Sequence, residues 1–201
     1  MAVNLHAELW RAMSFARAAA ADDPKTANLL SCVLPFHGVQ WGFDFVAFYG
    51  AERASYELQE DGSPAIIVPV VEDGDTLDLC AIDPDSQHVG TRLGLSRGLG
   101  LDAITKARMG CCDLHLVERP LDWLRSPVVY PADYARGPVK VHGVYVPREP
   151  VITERVYLFK LSDAVAALDG VGEFTCAGFE FAERVRALFP PWQRDRILVG
   201  E

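Results

Sequence analysis

The chain has 201 residues and a net charge of -9 at pH 7; half of its residues are hydrophobic, 23% charged and 10% aromatic. A chain of this size buries roughly 70% of its unfolded surface, so it needs no metal or disulfide scaffold to fold, and its composition excludes a largely disordered polypeptide. The acidic balance argues against a broad basic surface that holds nucleic acid by neutralising phosphates, while leaving room for a local basic groove.

The longest apolar stretches, such as Ala65 to Val71, are too short to cross a bilayer. Glu8 and Arg11 interrupt the N-terminus, which lacks a basic segment followed by an apolar core, so the expectation is a cytoplasmic protein with no membrane partner. Five cysteines without Cys-x-x-Cys spacing give neither a zinc site nor a disulfide framework. The neighbours Cys111 and Cys112 read as a buried strand start, with a redox or metal role as the alternative.

In chain order, Leu5, Leu9, Ala12, Met13 and Ala16 recur at helical spacing from Asn4 to Ala21, with Asn4 as N-cap. A second helix is expected from Lys25 to Val33, ending before Pro35 and Gly38. The aromatic, β-branched run VQWGFDFVAFYG reads as a strand. Ile66 to Val71 and Thr76 to Ile82 flank Asp73-Gly74, a pair suited to the positive φ of a tight turn, and form an antiparallel hairpin. Leu77, Leu79 and Ala81 alternate with Asp78, Cys80 and Ile82, so neither face is wholly polar and the strand is central or covered. Asp83-Pro84-Asp85 reads as a turn, or as two carboxylates converging on a hard cation.

His88 to Gly100 reads as irregular, because Gly90, Gly94, Gly98 and Gly100 break any continuous element, and their spacing is not the Gly-x-Gly-x-x-Gly of a dinucleotide site. Arg92, Arg97, Lys106 and Arg108 make Thr91 to Met109 the most basic part of the chain, either a solvated face or one turned to phosphates. A short helix over Leu101 to Arg108 precedes a buried strand, Leu114 to Val117, on which His115 is expected at the surface rather than as a ligand. Pro120 opens a helix to Leu124. Val128 and Val129 begin a strand or loop; Val139 to Val146 and Arg155 to Leu161 are β candidates, Ser162 to Leu168 is helical, and a strand then a helix carrying Phe181, Val185 and Leu188 follow. This alternation implies an α/β (α+β) fold: an N-terminal helical segment over 1–40, a β-hairpin lobe over 41–111, and an α/β layer with partly parallel pairing over 112–201.

The strand LHLVE followed by RPLDWL resembles the glutamate motif of Toprim domains, the catalytic modules of bacterial-type primases and topoisomerases. Upstream, PAIIVPVVEDGDTLDLCAIDPD resembles the hairpin before the Toprim core in primase-like proteins of phages and other mobile elements; the two blocks cover Pro64 to Val129. The resemblance implies that Glu118 is the catalytic acid-base group, and that a later Asp-x-Asp pair holds magnesium. Here the supporting glycine is Arg119, and Gly178, Phe179 and Glu180 stand in place of Asp-x-Asp. The metal ligands then reduce to Glu118 and Glu180, a thin set for a cation that takes several oxygens. Glu118 has a second account, as an acid stabilised at a helix N-terminus.

The expectation is an accessory protein of DNA metabolism with an inactive Toprim-like core, without a resident cofactor unless magnesium binds, contacting nucleic acid or a replication protein through Arg92, Arg97, Lys106, Arg108 and Arg119. If the core were active, its chemistry would be magnesium-dependent nucleotidyl transfer or phosphodiester cleavage. The alternative is a non-catalytic interaction module of a mobile element, using aromatics such as Trp10, Trp41 or Trp192 against a host protein.

Overall fold

The computed structural model describes residues 3–22, 40–50, 55–72, 74–124, 139–141, 144–146 and 153–200. Helices and strands are mixed along the chain, an α/β architecture. Internal contacts divide it into two compact units, Met1–Leu99 with Arg119–Ser126, and Gly100–Glu118 with Pro127–Glu201. The sequence suggested boundaries near 40 and 111; by contacts, the N-terminal helix belongs with the strands after it and the first change of unit comes at Leu99.

In the first unit, α1 (Leu5–Asp22) starts where Asn4 caps it: the Asn4 side-chain oxygen accepts the Ala7 N–H at 3.1 Å. Leu9, Ala12 and Ala16 are buried, and Leu5 and Met13 pack beside them. The helix lies against β1 (Gly42–Tyr49). At Gly42 a Cβ would fall 2.4 Å from the Ala12 carbonyl carbon, so any larger residue pushes helix from strand.

Five strands form a closed barrel: β1, β2 (Ser55–Leu58), β3 (Ser63–Glu72), β4 (Asp75–Ile82) and β5 (Val89–Thr91), in the order β1-β2-β5-β4-β3. The expected hairpin is present, β3 and β4 pairing antiparallel from Ile66↔Ile82 to Glu72↔Asp75 with an irregularity after Val70. Closure comes from β5, which lies antiparallel to β4 and meets β2 in parallel at Ser55↔Thr91. The glycine-rich stretch read as irregular therefore supplies a barrel strand and the two-residue β6 (Gly98–Leu99). Ala65, Ile67, Leu79 and Ala81 pack with Leu9 and Ala12, while Ile66, Val68, Cys80 and Ile82 on the opposite face are equally buried.

Asp78 sits fully buried on that second face. One of its carboxylate oxygens accepts backbone N–H groups of Leu79 at 2.7 Å, Arg92 at 3.1 Å and Leu93 at 2.9 Å, and the other accepts Leu95 N–H at 2.9 Å. Four donors replace the lost water and fix the loop that leaves β5.

The second unit contains α2 (Asp102–Arg108), β7 (Asp113–Val117) and, after α3 (Pro120–Leu124) of the first unit, the antiparallel pair β8 (Val139–Val141) and β9 (Val144–Val146). It continues with β10 (Thr153–Leu158), a 3-10 turn at Leu161–Asp163, α4 (Ala164–Ala167), β11 (Phe174–Ala177), α5 (Phe179–Leu188), a 3-10 turn at Pro191–Arg196 and β12 (Ile197–Gly200). Strands β12, β11, β7 and β10 lie side by side in that order, all parallel. Leu114, Leu116, Val156, Leu158, Phe174 and Cys176 bury one face of this sheet against Ile104 of α2 and Phe181 and Val185 of α5. The expected helix over Lys25 to Val33 and strand at Val128 and Val129 fall outside the described residues.

Replacing Asp78 by Ala leaves the Leu79, Leu93 and Leu95 N–H groups without that acceptor, while the Arg92 N–H keeps the Leu79 carbonyl at 2.8 Å, and is expected to cost about 3 kcal/mol or more, with Asp78→Asn losing less because one oxygen remains. Urea unfolding of the full chain followed by circular dichroism measures this; an unchanged midpoint for Asp78→Ala would show that the loop after β5 is held by other means.

Candidate functional site at the carboxyl end of the parallel sheet

The four parallel strands set the geometry. From β7 the chain goes to β10 on one side, and from β11 to β12 on the other, so its direction across the sheet reverses between β7 and β11. Open parallel sheets bind ligands at the carboxyl ends of their strands beside such a reversal. Thr175↔His115 and Cys176↔Leu116 set the two strands in register, and they deliver Glu118 and the segment Gly178-Phe179-Glu180 at the same sheet end.

Glu118 is half exposed and forms an ion pair with Arg184 of α5, whose Nη2 donates to its Oε1. Arg184 also lies over the Phe181 ring, 5.4 Å from its centroid. Beside the pair opens a cleft of about 210 Å³, with Leu116, Leu158 and Phe181 buried at its base and Glu118 and Arg184 at its solvent side. An ion pair this exposed adds at most about 1 kcal/mol to stability, so its interest lies in what it can bind. The Glu118 carboxylate is bonded to α5, and the first-turn acid of α3 is Asp122, bonded to Arg119 at 2.7 Å.

Glu180 is exposed in the first turn of α5. Gly178, before it, has φ 76° and ψ 162°, a conformation that side-chain-bearing residues rarely adopt. An aspartate in that place would strain the turn. Among the described residues no group of three His, Cys, Asp or Glu side chains could hold a metal ion. Glu118 is bonded to Arg184, so a cation at this sheet end would have to share or displace that ion pair.

The five basic candidates are divided between the two units. Arg92, Arg97 and Arg119 belong to the first unit, Lys106 and Arg108 to the second. Arg92 makes a two-pronged bond to Glu8, at 2.9 and 3.2 Å, that fastens α1 to the barrel. Lys106 pairs with Glu154 at 2.7 Å, and Arg108 donates to the Asp169 and Ala167 carbonyls at 2.7 and 3.0 Å. Arg97 is exposed.

Other expectations change as well. His115 is 9% exposed rather than on the surface, because β7 is an inner strand; its Nδ1 lies 2.7 Å from the Thr175 hydroxyl. Asp83 closes a turn by accepting the Asp85 and Ser86 N–H groups, the turn reading rather than the cation one. Trp41 packs with Ala16 and Phe43, whereas Trp10 and Trp192 are exposed. Arg184 escaped the sequence reading because Glu180, four residues before it, offers an ordinary partner along the helix.

Comparison of the chain with protein-family models, curated proteins and solved structures gives no match.

Cys111 is exposed and Cys112 buried. Burial, reinforced by Glu154, pushes the Cys112 thiol from 9.0 to about 11, and burial pushes Cys176 to about 12. Iodoacetamide at pH 8 is therefore expected to label Cys111 and spare Cys112 and Cys176, as read by peptide mass spectrometry. The raised thiols add stability that is complete below the unfolded value near 9 and is lost as pH climbs towards 11 and 12. Labelling of Cys112 at the rate of Cys111 would contradict its burial.

Proposed function

We propose that the chain is a non-catalytic accessory protein of DNA metabolism, with a Toprim-like core in its second unit that binds nucleic acid or a replication partner. The observation that carries this is the placement of Glu118 at the end of a parallel strand, beside a neighbouring strand whose exit offers Gly178-Phe179-Glu180 instead of two aspartates. The glutamate keeps its place in the motif, but its carboxylate is bonded to Arg184 and lacks the acidic partners of a magnesium enzyme. The structural pairings of Arg92, Lys106 and Arg108, with the net charge of -9, favour contact with a short exposed strand over grip on a duplex. A second reading, an interaction module of a mobile element acting on a host protein, draws on the 67% exposure of Trp10 and 80% of Trp192.

Titration of the full chain with magnesium or manganese in the presence of a labelled single-stranded oligonucleotide tests this, comparing wild type with Glu118→Ala. The expected result is binding without cleavage or nucleotidyl transfer at any metal concentration. Metal-dependent cleavage lost in Glu118→Ala would restore the enzyme reading, and absence of binding would favour the protein-partner reading.

A further inference from the structure

The cleft beside Glu118 has a size, a lining and a charged pair that together specify a ligand. Sites for drug-sized molecules run from about 300 to 1,000 Å³. At about 210 Å³ this one suits a single heterocycle. Its base is apolar, and Tyr157 and Phe159, both half-buried, add aromatic surface to the lining. Arg184 already lies over the Phe181 ring, and guanidinium groups and aromatic rings are surfaces on which unstacked bases lie.

The polar specification comes from Glu118. An ionised carboxylate only accepts hydrogen bonds, so a base turned to it must present donors. Guanine alone offers two adjacent donors, N1–H and the N2 amino group, on its Watson–Crick edge. Adenine and cytosine set an acceptor beside their donor, and uracil and thymine flank one donor with two carbonyls, so each would turn an oxygen or ring nitrogen towards the negative charge. Arg184 occupies one side of Oε1, and a carboxylate has about four lone-pair positions, so the ion pair can persist while a base binds. Lys160 is exposed between the lining residues Phe159 and Leu161, a cation near the cleft for a nucleotide's phosphate.

We propose that this cleft binds one guanine base, read by Glu118 and stacked with the help of Arg184. The base comes from a single strand or a free nucleotide; the strand as source rests on the function proposed above. The net charge of -9 fits recognition led by the base, because a long phosphate backbone would be repelled.

Fluorescence anisotropy with the full chain tests this, using labelled thymidine strands that carry one central guanine or one central adenine, with guanosine and adenosine monophosphate as competitors. The guanine strand is expected to bind roughly tenfold tighter than the adenine strand, the discrimination typical of a paired hydrogen-bond contact to a base edge. Guanosine monophosphate should compete better than adenosine monophosphate. Glu118→Gln, which sets a donor beside the acceptor, should lose the guanine preference and move towards adenine. Leu161→Trp, which fills the cleft from a partly buried position, should remove discrimination altogether. Strands that bind without base preference, or a guanine preference surviving Glu118→Gln, would overturn the guanine site while leaving the nucleic-acid reading standing. Preference for guanosine monophosphate without binding of any strand would uphold the site and remove the strand as its source.

Discussion

Parallel pairing of β7 with β10 and β11 is the constraint on which the candidate site depends. Because Thr175 and His115 are partners in register, the chain leaves both strands at one level, and the residues that follow reach the same sheet end. A slip of one residue would turn Leu114 and Leu116 away from the helices and bring the His115 imidazole into the apolar core in their place. The same apolar pattern that buries the sheet therefore fixes where Glu118 emerges. His115 reinforces that register from the other face through the Thr175 hydroxyl, and Gly200 lies so near that a Cβ there would fall 2.8 Å from the imidazole.

The barrel solves a different problem. Strands β3 and β4 bury apolar side chains on both faces, and the Asp78 carboxylate is tolerated among them because four backbone N–H groups converge on it. A buried carboxylate without such donors would be strongly destabilising. Here it is structural, holding the segment from Arg92 to Leu95 against the middle of β4. Arg92 then reaches Glu8 and joins that segment to α1, so a residue whose sequence context implied phosphate contact is part of the barrel's own framework.

Among the described residues, partners in space separate cations that are alike in composition. Arg92, Lys106 and Arg108 each have a structural partner, while Arg184, in an ordinary helix, meets a glutamate 66 residues away at the mouth of a cleft. Function of the kind proposed would then depend on one half-exposed pair over an apolar base, a setting where a ligand can use both charges without the protein first having to expose its core.

The features legible in the sequence are those encoded within a few consecutive residues. The Asn4 cap, the hairpin about Asp73-Gly74, the proline start of α3 and the alternation of strands and helices each follow from local backbone preferences or a short apolar period. The place of Glu118 at a strand end was legible for the same reason. Closure of the barrel by the short β2 and β5, the addition of β12, the burial of His115 and the union of Glu118 with Arg184 were not, because each is decided between residues far apart in the chain. Sequence determined which segments could be helix or strand and which acid would leave a buried strand; tertiary structure alone decided its partner, because side chains on separate elements meet only after the apolar faces beneath them have packed.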